Sequence, residues 1–148
     1  MAIPSLDSEG FLPVGVHDCT WDDVKARFGT FQHSDRRPSL WGRLQSLVKE
    51  VRAAEFGLWL LIDGSFVTAK TEPNDIDLVL VLPTAFDLRS DLPPAQYNLV
   101  SKRRVRERFG FDIITVREKT LEYEEAVAFF QQVRGERSLR KGILRIAL

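Results

Sequence analysis

The sequence predicts a small α/β domain built on a mixed sheet, and three observations carry that prediction. Strand-sized apolar runs stand at 58–62, 76–82 and 111–116. Between and around them, apolar residues recur at helical spacing over 39–56, 94–109 and 120–133. The chain has 148 residues, enough for one core and too few for a separate substrate domain.

Taken in order, residues 1–38 read as an N-terminal arm with a short helix packed on the domain. Its first 20 residues are rich in Pro, Gly, Ser and Asp and are expected to be mostly irregular. Thr20 caps a short helix from Trp21, with Asp22 and Asp23 in its first turn. Arg36-Arg37-Pro38 reads as a break. Ser39 then caps a long helix through about Phe56, with Leu40, Leu44, Leu47, Val48 and Val51 on one stripe and Gly57 as its stop. The first strand covers 58–62, and Ser65 to about Lys70 reads as one or two helical turns.

Glu72, Pro73 and Asn74 form a turn into the second strand, 76–82, which is apolar on both faces and therefore central. A loop follows, and Pro94 opens a helix running unbroken to Phe109, ended by Gly110. The third strand is 111–116, and Thr120 or Leu121 begins a helix through about Val133. The remainder reads as a basic loop and a short apolar run, 143–148, expected as an edge strand or a pinned terminus.

The composition is 44% hydrophobic and 28% charged, with a formal net charge of zero. No global attraction to nucleic acid or an anionic membrane follows from that balance. Charge is nonetheless uneven. Residues 1–23 carry five acidic groups and no Lys or Arg, whereas 102–108 carries five basic groups against Glu107. The segment 134–141 adds four more against Glu136. Cys19 is the only cysteine, so no intramolecular disulfide forms, and His17 and His33 have no metal-ligand spacing with it. The start is neither basic nor followed by an apolar run, and no segment approaches spanning length; a cytoplasmic protein without a membrane partner is expected.

The chemistry-bearing stretch is 60–83, LLIDGSFVTAKTEPNDIDLVLVLP. Asp75 and Asp77 share one face of an extended segment while Ile76 points the other way. Two close carboxylates at the head of an apolar strand repel each other and resist desolvation, which calls for a cation or for water. The ion that suits oxygen donors of this kind is Mg²⁺, carrying a nucleotide's phosphates. Asp112 is a second carboxylate where the pattern asks for a core residue, and it reaches the pair if its strand lies beside 76–82. Gly64-Ser65 completes the set, because Gly permits close backbone approach and Ser65 opens a helical turn with free N–H groups suited to phosphate.

This order (apolar-Gly-Ser, nine residues, Asp-apolar-Asp-apolar, then a carboxylate on a later strand) resembles the DNA polymerase β-like nucleotidyltransferase superfamily. Within it the chain is similar to small, minimal bacterial nucleotidyltransferase-like proteins with a DGSFVT-like signature, over roughly 58–116. The resemblance implies a minimal nucleotidyltransferase fold, a small mixed sheet with helices packed mainly on one face. It implies that Asp75, Asp77 and Asp112 are catalytic and bind Mg²⁺ or Mn²⁺, and that Gly64 and Ser65 hold the β- and γ-phosphates of an NTP, with ATP as the expected nucleotide. Lys70 and Thr71 are candidates to assist with phosphate, as are Arg104 and Arg108 on the basic helix; for each, a solvated surface role stays open.

The expected activity is NMP transfer from an NTP to a hydroxyl of a protein, as in AMPylating toxin–antitoxin systems, of an RNA, or of a small molecule. The alternative is a non-catalytic nucleotide- or metal-binding protein, antitoxin-like, that acts by binding a partner. Homodimer formation through the tail or the aromatic arm is left open.

Overall fold

The computed structural model describes residues 3–133 and 135–148, without the side chain of Arg137. The first two residues of the arm and Arg134 of the basic segment lie outside the described residues. A five-stranded sheet of order β1-β7-β2-β3-β4 organises the chain. It comprises β1 (Gly15–Asp18), β2 (Trp59–Asp63), β3 (Asp77–Leu82), β4 (Asp112–Arg117) and β7 (Gly142–Ala147). β1 runs parallel to β7 and β3 parallel to β4, while β2 is antiparallel to both its neighbours, so the sheet is mixed. A separate two-stranded hairpin, β5 (Gln132–Val133) with β6 (Glu136–Arg140), precedes β7.

Alternation along the strands divides the core in two. Leu60, Ile62, Leu78, Leu80, Ile113, Leu144 and Ile146 face the larger cluster. That cluster receives α1 (Trp21–Val24), α2 (Arg36–Ala53), α3 (Pro94–Val100) and α4 (Lys102–Phe109). Leu61, Val79, Val81, Val116 and Ile143 face the other side, covered by α5 (Leu121–Phe130) through Ala126, Val127 and Phe130. Four of these five helices thus share one face. Among the described residues, no helix is long and apolar enough to cross a membrane.

Several boundaries differ from the sequence reading, each for a local reason. α2 begins at Arg36, not after Pro38. A proline in the first turn lacks an N–H that would have no helical partner there, so Arg36-Arg37-Pro38 is helix rather than break. α2 ends at Ala53, and the left-handed residue beyond it is Glu55, at φ 53°. Gly57 is instead a packing glycine, since a side chain there would meet Leu148 Cδ1 at 2.6 Å and Leu80 Cδ1 at 3.0 Å.

The expected helix over 94–109 is two helices. Ser101 adopts ψ 113° between them, and its Oγ accepts from the Arg104 N–H at 3.4 Å to cap α4. Thr20 caps α1 as expected, in a reciprocal capping box with Asp23, and Thr120 caps α5, whose first residue is Leu121. α5 stops at Phe130 rather than Val133 because the chain enters β5. The arm contributes β1, and the terminal run is neither an edge strand nor a pinned coil. It is the interior strand β7, paired on both sides.

Two adjacent arginines at the start of α2 hold the connection between β2 and β3. Arg37 is 1% exposed and donates to four carbonyls: Phe28 (3.3 Å), Phe66 (2.6 Å), Thr68 (2.7 Å) and Lys70 (2.6 Å). Arg36 donates to the carbonyls of Pro73 (2.8 Å) and Asn74 (3.0 Å). Between them they fasten 66–74 to the head of α2. Buried carbonyls stripped of their donors cost free energy that no surface loop would incur. We therefore expect Arg37→Ala to lower unfolding stability by about 3 kcal/mol in urea titrations, several times the effect of a surface arginine change.

Candidate active site

The site forms where β2 ends and β3 and β4 begin. Register places Asp63 opposite Asp77, and Asp77 opposite Asp112. All three have the parity of the α5-covered side, so three carboxylates stand abreast at one end of the sheet. Asp75 precedes Asp77 on the same parity, and Ile76, between them, is 1% exposed in the opposite core cluster. The expectation that 111–116 lies beside 76–82 is met, in parallel.

Gly64 turns the chain from β2 into a short 3₁₀ turn, Ser65–Val67. It has φ +90°, and a Cβ there would lie 2.9 Å from the Asp75 carbonyl oxygen, 3.0 Å from Asp75 Oδ1 and 3.0 Å from the Asp77 nitrogen. Only glycine satisfies both the angle and the space. Ser65 then gathers the second half of the loop. Its N–H and its Oγ–H both donate to Asp75 Oδ1 at 2.9 Å, and Oγ accepts from the N–H groups of Asn74 (2.9 Å) and Asp75 (3.3 Å). Gly64-Ser65 therefore positions a carboxylate in this structure, and the Ser65 groups expected to meet phosphate are engaged by Asp75.

Asp63 is 4% exposed and is paired with the Lys141 ammonium, 2.9 Å from Oδ1. Their contact is a buried ion pair. Burial pushes the Asp63 carboxyl up, and Lys141 pulls it part of the way back. Asp77 is half-buried, and burial raises its pKa to about 6, aided by the charges of Asp75, Asp63 and Asp112. Asp112 differs from its neighbours: its side chain is 69% exposed and pairs with Arg106 at 2.8 Å.

A cavity of about 1120 Å³ opens over this end of the sheet. Asp63, Gly64, Ser65, Lys70, Asp75 and Asp77 line one side, and Phe129, Phe130, Arg140 and Lys141 line the other. Among the residues singled out from sequence, Thr71, Asp112, Arg104 and Arg108 do not line it. Arg108 is tied to Glu50 of α2 at 2.7 Å, and Arg104 lies over the Tyr97 ring at 5.8 Å, so the basic helix serves α2 and α3 rather than the cavity. Burial pushes the Cys19 thiol up to about 11, which disfavours the thiolate. Sequence reasoning missed Asp63 and Lys141. Asp63 carried a readable signal, a carboxylate closing a buried strand directly before Gly64-Ser65. Lys141 carried none, because its partner is 78 residues away along the chain.

The donors are all carboxylate oxygens, the chemistry hard divalent cations prefer. Among the described residues, however, no group of three or more Asp, Glu, His or Cys side chains converges closely enough to hold a metal ion by itself. Asp75 and Asp77 are the pair that faces the cavity. Two carboxylates fit a Mg²⁺ ion that takes its remaining ligands from water and substrate phosphates.

A family profile described as "Family of unknown function (DUF6932)" matches residues 4–147. No curated protein and no solved structure matches the chain.

Asp77 makes a prediction about stability. In the folded protein its carboxyl gives up its proton less readily than in the unfolded chain, so its burial costs little at pH 4 and nothing well below it, where it is protonated folded and unfolded alike. The cost grows as pH rises through 6 and is complete above it. Asp77→Asn should therefore be more stable than the wild type by about 2 kcal/mol at pH 8 in chelator, with the gap closing by pH 4. Denaturant titrations at the two pH values measure it, and an Asn variant that is less stable at pH 8 would contradict the account. Gly64→Ala, by contrast, should lose about 2 kcal/mol or more at both pH values, because its clash does not titrate.

Proposed function

Since the chain belongs to DUF6932, a family of unknown function, we propose its activity from the site itself: metal-dependent transfer of NMP from an NTP to an acceptor hydroxyl. The observation that carries the reading is the paired carboxylates Asp75 and Asp77, held by Gly64-Ser65 at the mouth of a cavity large enough for a nucleotide. Asp75 and Asp77 would hold Mg²⁺ or Mn²⁺. When bound, that ion supplies charge neutralisation of the triphosphate and acidifies a nearby hydroxyl.

The chain's own groups act separately. Ser65 keeps Asp75 oriented, and the clamp of Arg36 and Arg37 keeps the loop between them from relaxing. Lys70, on the cavity wall, offers its ammonium to phosphate. Asp112, opposite Asp77 in register but outside the cavity lining, would have to leave Arg106 and turn toward the cavity before accepting the proton of the acceptor hydroxyl. The hydroxyl oxygen bonds to the α-phosphorus, the bond from that phosphorus to the bridging oxygen breaks, and pyrophosphate leaves with the electron pair. ATP remains the expected nucleotide, and the acceptor is a protein, an RNA or a small molecule.

One observation favours the second reading, a nucleotide- or metal-binding protein of antitoxin-like action. The Ser65 hydrogen bonds to Asp75 must loosen before those groups reach a phosphate.

The reading is tested by incubating the protein with Mg²⁺ or Mn²⁺ and each α-³²P-labelled NTP, alone, with bulk tRNA, and with lysate. Transfer is expected from the wild type and reduced by about 100-fold or more in Asp75→Ala/Asp77→Ala. Calorimetric binding of an NTP without transfer would support the second reading. Flat titrations with all four NTPs would remove the nucleotide site.

A further inference from the structure

We infer that Lys141 is the resident cation of the carboxylate cluster, its ammonium on Asp63 taking the place of a divalent ion there. The inference rests on the reading above and adds the charge balance of the same site: one divalent ion, at Asp75 and Asp77, with the second cationic place filled by the chain.

Charge and anchoring both lead there. Four carboxylates stand at this end of the sheet, and two of them are already matched by basic side chains, Asp63 by Lys141 and Asp112 by Arg106. The two pairs are unlike. Arg106 and Asp112 are both well exposed, a pair that water and salt weaken and an incoming ion displaces readily. The side chains of Lys141 and Asp63 are 14% and 6% exposed. An ammonium held that deep does not leave a carboxylate it alone neutralises, because the bare Asp63 charge would remain buried.

Lys141 is also held from behind. Its backbone N–H donates to the Gln131 carbonyl at 2.8 Å, and the Gly142 N–H donates to the Leu12 carbonyl at 2.8 Å, immediately before the interior strand β7. The ammonium thus arrives immediately before a strand that is paired on both sides. A divalent ion on Asp63 would have to share its ligand with a positive charge a few ångströms away, which is strongly unfavourable. Asp75 and Asp77 both line the cavity.

Counting Mn²⁺ by electron paramagnetic resonance and calorimetry, without nucleotide, tests this apart from activity. The wild type is expected to bind one ion per chain. K141M should gain a second ion, or bind the first about tenfold or more tightly, because removing the ammonium frees Asp63 and lifts a repulsive charge. D63N/K141M removes both charges, leaves no unpaired buried ion, and should return to one ion at near wild-type affinity. Should K141M fail to fold, that double variant decides.

Two ions on the wild type, or a folded K141M with unchanged number and affinity, would overturn the inference while leaving the metal reading in place. Loss of the ion in D63N/K141M would place it on Asp63 and overturn the inference as well. No ion on any of the three proteins would remove both.

Discussion

Three aspartates abreast on neighbouring strands repel one another, and much of the surrounding structure holds them together in spite of it. The register of β2, β3 and β4 leaves Asp63, Asp77 and Asp112 no freedom to separate along the sheet. Hydrophobic packing on both faces enforces that register, because a one-residue slip would turn Leu78, Leu80 and Ile113 out of their core and put Asp77 into it. The repulsion is therefore a consequence of folding correctly. It shows in Asp77, whose carboxyl is held at about 6 by burial and its neighbours.

The loop from Ser65 to Asp75 answers the same problem by hydrogen bonding. Ser65 binds Asp75 through both its N–H and its hydroxyl, while Arg36 and Arg37 take up six carbonyls between Phe28 and Asn74. A guanidinium is suited to this work because its donors lie in a fixed fork and its charge does not titrate. The cavity wall is thereby built by the head of α2, an element that contributes no chemistry of its own. Distant residues can govern the geometry of Asp75 in this way without touching a substrate.

The chain's end closes the arrangement. β7 inserts between β1 and β2, so the last strand made is interior, and the hairpin before it delivers Lys141 to Asp63. The acidic end of the sheet and the basic segment that precedes β7 are thus two sides of one cavity. The first basic cluster, on α4, has the stronger sequence signature and yet lies elsewhere, its arginines spent on Glu50, Glu107, Asp112 and the Tyr97 ring.

Local pattern alone determined a good deal about this protein. The three apolar runs became β2, β3 and β4, the Thr20 cap formed, and Asp75 and Asp77 share a face apart from Ile76, because alternation and capping depend on residues within a few positions of each other. Tertiary structure decided what depends on distant partners. It made the terminal run 143–148 part of an interior strand, since pairing on two sides cannot be read from one segment. It gave the two arginines at the head of α2 six carbonyls to hold, from Phe28 to Asn74. It brought Lys141 to Asp63, because a buried charge takes whatever opposite charge the fold carries to it, however far away along the chain.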